Sequence, residues 1–280
     1  MAIRNESRQM GFLERILGEK RDEVERKKRR RPALSMIDDM ESTPVRDFRA
    51  AIAGGARGGR PIIAELKART PSVDAFAWSD RLGDLATVYR DGGAAAISVV
   101  TDERNFGTTL QDARRARDDS GLPILVKDFV IDPYQVFEAR AHGADAVLLI
   151  ARLLDWDRLT GLLDLVSELH MDALVETHDE HEIKTALQAR AAVIGVNNRD
   201  LDTLSVSTDN TRRLARLVPD GVLLVAESGI RGADDVDRLA RAGANAFLVG
   251  GALLDSDDPG RKLKELRGEL TTKKRTRKKQ

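Results

Sequence analysis

From residue 61 onward the chain repeats one pattern eight times, a short apolar run followed by a longer amphipathic segment. The apolar runs are 61–66, 94–100, 122–126, 145–150, 172–175, 192–196, 222–226 and 245–249. The amphipathic segments are 80–91, 108–119, 133–142, 156–169, 179–189, 208–217, 232–241 and 259–269. Strands that alternate with helices are parallel, because each return to the sheet needs a crossover, and the crossover helices then cover the sheet. Eight such units predict an α/β fold, a closed (β/α)8 TIM barrel over residues 61–270. An open doubly wound sheet is the alternative. Gly92-Gly93, His142-Gly143 and Ala242-Gly243 stand just before strands, where a helix is capped and the chain turns.

Residues 1–60 form an N-terminal helical extension. Phe12, Leu13, Ile16, Leu17 and Val24 recur at helical spacing and predict a helix over 11–29. Lys27-Lys28-Arg29-Arg30-Arg31 and then Pro32 mark its end, and the basic run reads as a solvated helix terminus rather than a nucleic-acid patch. A second short helix is expected from Pro44 to Ile52, and the glycine-rich link 54–59 leads into the first strand. At the other end, residues 271–280 carry charge without apolar periodicity and without an aromatic ring to stack on bases, so they read as a disordered, dispensable tail. Basic and acidic residues both number 46, and the basic ones crowd the two ends. Cysteine is absent, which excludes disulfides and thiolate chemistry. No apolar run reaches the length of a membrane span and the first residues lack a secretion signal, so the expectation is a cytoplasmic protein with no membrane partner.

The first strand, Pro61-Ile62-Ile63-Ala64-Glu65-Leu66-Lys67, is apolar until it ends in a carboxylate and an ammonium two residues apart. On a strand those two share a face. A buried ion pair holding the sheet is one reading, and an acid–base pair at the mouth of a pocket is the other. Barrel enzymes work at the C-terminal ends of their strands. The other exits carry Lys127, Glu176, Asn197 with Arg199, Glu227 with Ser228 and Gly229, and Gly250-Gly251. Two lysines close together repel, which would lower the pKa of one and make it a proton donor near neutrality. Arg199 offers a fork for a carboxylate or phosphate, and the glycines after the last two strands let backbone N–H groups approach an anion. A Schiff base on Lys67 or Lys127 is a further option. The histidines, His142, His170, His178 and His181, form no ligand set; His178 and His181 share helical spacing without a carboxylate cluster beside them. No metal and no cofactor are expected, and no nucleophilic triad, P-loop or dinucleotide fingerprint is present.

Four segments carry a resemblance: Ala64–Lys67, Leu125–Gln135, Val196–Leu201 and Val225–Ile230, with Leu13–Leu17 in the extension. Over residues 11–270 they resemble the indole-3-glycerol phosphate synthase family. The resemblance implies ring closure, decarboxylation and dehydration of 1-(2-carboxyphenylamino)-1-deoxyribulose 5-phosphate without a cofactor. It implies Lys127 as the acid, Glu176 as the base and Lys67, held by Glu65, as a second acid or clamp. Asn197, Arg199, Ser228, Phe106 and Thr70 would contact the substrate, and Gly229, Gly250 and Gly251 its phosphate. The chain departs from the family pattern at Thr70 and Val73, at Thr108-Thr109 and at Gly251, where it lacks the usual loop glycines and the usual serine or glutamate. These departures bear on rate more than on reaction type. The expected partner is a small phosphorylated molecule, and the expected state a monomer, with a dimer as alternative. The competing functions are another phosphate-binding barrel, such as phosphoribosylanthranilate isomerase, and a nucleic-acid-binding protein acting through its basic ends.

Overall fold

The computed structural model describes residues 12–54, 58–71, 73–200, 203 and 205–270. The basic tail and positions 55–57 of the glycine-rich link lie outside them. Among the described residues, three α-helices and a 3-10 turn (Ala33–Met36) precede the barrel: α1 (Phe12–Arg30), α2 (Ile37–Glu41) and α3 (Phe48–Ala53). The barrel then runs β1 (Ile62–Leu66), α4 (Leu82–Asp91), β2 (Ala96–Val100), α5 (Glu103–Phe106), α6 (Leu110–Ser120), β3 (Ile124–Lys127) and α7 (Pro133–Ala141). It continues with β4 (Ala146–Ile150), α8 (Trp156–Glu168), β5 (Asp172–Thr177), α9 (Glu180–Gln188), β6 (Val193–Asn197) and α10 (Asp209–Leu214). It ends with β7 (Leu223–Glu227), α11 (Ala233–Arg241), β8 (Ala246–Val249), α12 (Gly251–Leu254) and α13 (Pro259–Leu266). The eight strands pair in sequence order, all parallel, and β8 closes on β1.

Local chemistry sets the helix starts. The side chains of Asp47, Asp132, Asp155, Asp179 and Asp258 each accept an N–H bond in the first turn of the helix that follows, filling donors the helix cannot satisfy itself. Asp47 therefore starts α3 four residues later than expected from Pro44. The helix expected over 208–217 is shorter, because Val218 is extended ahead of Pro219 and the last turn tightens to a 3-10 turn at Ala215–Leu217. The expected helix over 11–29 is present as α1, but its basic end is not simply solvated. Lys27 pairs with Glu138 at 2.9 Å and Lys28 with Asp132 at 2.7 Å, which fastens α1 along α7. Met36 and Met40, from a segment without any expected element, pack with Val24, Tyr134 and Ala141 in the same seam.

Inside the barrel the two-residue period of the strands governs everything. Ile63, Leu125, Leu174, Val193 and Val225 belong to one buried cluster that α3 plugs from below with Phe48 and Ile52, both fully buried. Emptying a buried phenylalanine of this kind costs about 3–5 kcal/mol. Two residues further along each strand the same inward column becomes polar: Glu65, Lys127, Glu176, Gly195 with Asn197, and Glu227. An apolar floor thus carries a charged mouth.

Candidate active site

Lys127 ends β3, and its Nζ lies 2.9 Å from Glu176 Oε2 and 3.1 Å from Glu227 Oε2. Lys67 Nζ donates to Glu65 Oε1 on the same face of β1. Glu65, Glu176 and Glu227 are almost fully buried, at 5%, 2% and 1% exposure, so their charges are set by one another and by the two lysines. Three carboxyls face two ammonium groups, and the excess carboxyl should take up a proton. That carboxyl is Glu227. Burial, opposed by Lys127 and reinforced by Glu176, raises it to about 7. Burial works against ionising Glu176 too, but Lys127, His178 and a hydrogen bond from Asn197 hold it below its ordinary value. Glu65 is likewise held low, burial being outweighed by Lys67 and Lys127.

The expectation that mutual repulsion lowers a lysine pKa is corrected for Lys127. Burial alone would lower it, but Glu176, Glu227 and Glu65 outweigh burial and push it well up. Lys127 is an ammonium throughout the neutral range. It carries a proton to donate, but the three carboxyls hold that proton more tightly than the sequence reading assumed, and it is unavailable as a free amine for a Schiff base.

The structure brings Glu65, Lys67, Lys127, Glu176 and Asn197 together at one rim, and adds Glu227. Arg199 is exposed and not among the groups gathered round Lys127; its N–H rests on Asn197 Oδ1 at 3.0 Å and its backbone bridges to Val206. Phe106 is half-buried at the end of α5, and its carbonyl accepts from Ala68 and Arg69, just past Lys67. Thr70 pairs with Val73 through two backbone bonds that close a tight turn, and φ at Val73 is not positive where the family pattern has glycine. Thr108 is buried and its hydroxyl donates to the Val100 carbonyl, while Thr109 caps α6 in a capping box with Asp112. The departures at 108 and 109 therefore serve the loop itself.

Ser228 and Gly229 both have positive φ, 64° and 78°. A serine in that region is strained, and such strain concentrates at functional sites. Asn198 holds the turn, its amide donating to the Glu227 and Ser228 carbonyls at 2.9 and 3.1 Å. At the next strand end Gly250 and Gly251 differ. A Cβ on Gly250 would overlap Glu65 Oε1, whereas one on Gly251 would meet only Asp255 at 3.8 Å. Gly250→Ala should therefore lower kcat by about 10-fold or more through a displaced Glu65. Gly251→Ala, which keeps its N–H, should stay within about twofold. Steady-state kinetics of the two variants checks the contrast.

A cavity of about 630 Å3 opens over the ends of β5 and β6, and its lining includes Arg152, His178, Asn197, Ser207, Asn210 and Arg213. His178 corrects the sequence reading. It stands on the turn before α9 rather than on a helical face with His181, and two carboxylates do accompany it: Glu176 at 3.5 Å and Glu182 at 3.1 Å. Its spacing to His181 pointed the wrong way. The signal that would have served was its place two residues after Glu176. Glu227 stood among the strand exits in the sequence, but its role depends on being the third carboxyl around Lys127, which no local pattern reveals.

A closed barrel with an ammonium clasped by carboxyls at its C-terminal mouth is the arrangement of a (β/α)8 enzyme. The model of the family described as indole-3-glycerol phosphate synthase matches residues 13–266. The chain is 47% identical over 250 residues to an indole-3-glycerol phosphate synthase of Parafrankia sp., covering 89% of this chain and 92% of that one. It is 44% identical over 257 residues to that of Albidiferax ferrireducens, covering 91% and 97%. Among solved structures, 3-hexulose-6-phosphate synthase from Salmonella typhimurium superposes with a TM-score of 0.61 at 15% identity, over 74% of this chain and 97% of that one. Orotidine 5'-phosphate decarboxylase from Pyrococcus horikoshii does so with a TM-score of 0.57 at 16% identity, over 74% and 98%. At such identities these two share the fold alone. The chain belongs to the indole-3-glycerol phosphate synthase family, and with it to the carbon–carbon lyases of tryptophan biosynthesis. No helix among the described residues is long and apolar enough to cross a membrane.

Proposed function

We propose that the gathered groups divide the family's reaction as follows. Ring closure onto the ribulose carbonyl needs an acid, and Lys127, held cationic by three carboxyls, donates the proton to that oxygen. Loss of water later needs a base, and Glu176, kept ionised beside Lys127, accepts the proton. Lys67, oriented by Glu65, is the second acid or the clamp on the substrate carboxylate. Glu227, raised to about 7, stabilises the Lys127 ammonium when ionised and can return a proton to Lys127 once the lysine has given its own to the substrate. Asn197 fixes Glu176, and Arg199, Phe106 and Thr70 close over the substrate from the loops. The phosphate rests on backbone N–H groups at Ser228, Gly229, Gly250 and Gly251. The reaction draws on no cofactor or metal, the substrate is the only partner required, and the protein works as a cytoplasmic monomer.

The observation that carries this reading is Lys127 clasped by Glu176 and Glu227 at 2.9 and 3.1 Å. The assay supplies 1-(2-carboxyphenylamino)-1-deoxyribulose 5-phosphate to purified protein and follows indole fluorescence, with rescue of a tryptophan auxotroph lacking the synthase as the cellular counterpart. Product formation is expected. Folded protein that binds the substrate and makes no indole would show that Thr70, Val73, Thr108 and Gly251 have disabled the site. Absence of binding would limit the assignment to the fold.

A further inference from the structure

His178 is 7% exposed, and every polar atom of the residue but one is engaged. Its backbone N–H donates to Glu182 Oε2 at 2.7 Å, and its Nδ1 meets the same oxygen at 3.1 Å. Glu182 is itself fixed by Arg152 Nε at 2.9 Å and by its own N–H on Asp179. The His178 carbonyl accepts from Asn210 Nδ2 at 3.0 Å. The remaining atom, Nε2, is buried without a hydrogen-bond partner and lies 3.5 Å from Glu176 Oε1. The other oxygen of Glu176 holds Lys127.

This arrangement fixes the ring's tautomer. Glu182, held ionised by His178 and Arg152 against its burial, can only accept, so Nδ1 carries a proton. In a neutral ring Nε2 would then turn a lone pair toward the Glu176 carboxylate, a repulsive contact in a dry site. A proton on Nε2 turns it into a charge-assisted bond that a small closure of the 3.5 Å gap completes. Such bonds are often long in the free enzyme and tighten with substrate.

We propose that His178 is a positioning residue for Glu176: its imidazolium, clamped by Glu182, gives Nε2–H to Glu176 Oε1 and keeps that carboxylate oriented and ionised for proton abstraction. The charged groups facing the ring are Glu176 from β5, Glu182 from α9, Arg152 from the turn after β4 and, at longer range, Glu227 from β7, with Lys127 beyond Glu176. The two carboxylates outweigh Arg152 and burial, so the ring stays protonated above its ordinary range. Activity should then fall on the alkaline side as the ring loses its proton. The inference rests on Glu176 being the base.

The experiment compares pH profiles of kcat for the parent, His178→Leu, His178→Gln and Glu182→Gln, with thermal unfolding of each. His178→Leu is expected to lose about 10²-fold in kcat, the scale of a misplacement near 1 Å at the reacting centre, with KM nearly unchanged. His178→Gln, which keeps an N–H donor that does not titrate, should recover most of the loss and move the alkaline limb to higher pH. Glu182→Gln removes the clamp's charge and should move that limb to lower pH. Parental kcat in His178→Leu, or limbs unmoved in both glutamine variants, overturns the proposal. If His178→Leu does not fold, the direction of the Glu182→Gln shift decides alone. Glu176→Gln separates the two readings. If that variant keeps parental kcat, the base assignment fails; if it is inactive while His178→Leu is normal, only the role of His178 fails.

Discussion

Replacing Lys127 by methionine is expected to lower kcat by about 10²-fold or more while the protein stays folded. The side chain ends a strand whose packing is complete below it, since Leu125 in the same inward column belongs to the buried floor. What Lys127 supplies is charge, clasped by Glu176 and Glu227 and also felt by Glu65. Without it the three carboxyls repel, and the site relieves this by binding protons, as Glu227 is already poised to do. The loss therefore falls on chemistry rather than on folding. Indole fluorescence gives kcat, and circular dichroism with a thermal melt gives the fold. A variant with near-normal turnover would move the acid role to Lys67.

The barrel was legible because its signal is repeated. Eight apolar runs and eight amphipathic segments each state the same thing, and a boundary error of two or three residues changes none of it. The charged rim was legible for a related reason. Counting inward positions by twos from Ile63, Leu125 and Leu174 arrives at Glu65, Lys127 and Glu176 without knowledge of any contact. What stayed hidden depends on which side chains meet across the mouth. The lowered lysine pKa read from the sequence is reversed at Lys127 by three buried carboxyls, and only the closed barrel brings them within reach. Lys20 shows the same limit. No local pattern marks it, yet it is 2% exposed and pairs with Asp128 at 2.9 Å, the residue next to Lys127. The short helices α2 and α5 carry too few residues to show a period at all. At Val73 the departure from the family pattern needs no glycine backbone, because φ there is not positive.

The ionisation of Glu227 separates stability from catalysis, and Glu227→Gln tests both. Its carboxyl is raised from 4.5 to about 7, chiefly by burial. A group raised in this way adds stability below its unfolded value, and that contribution is lost as pH rises through the folded one. Between 4.5 and about 7 the folded protein holds a proton that the unfolded chain has given up, and above about 7 the buried carboxylate is a liability. Glutamine has nothing to ionise, so the melting temperature of the variant should gain on that of the parent as pH rises through this window. Catalysis should move the other way. The ionised form is the partner of Lys127 at 3.1 Å, and it fits the nearby space because Gly195 has no Cβ to displace its other oxygen. Glutamine fills that space without a charge, so kcat should fall about 10²-fold. The acid limb of kcat/KM near 7 in the parent should disappear with it. If the variant keeps its turnover and the limb stays in place, the ionisation belongs to the Glu176–His178 pair, and Glu227 is only the carboxyl that neutralises Lys127.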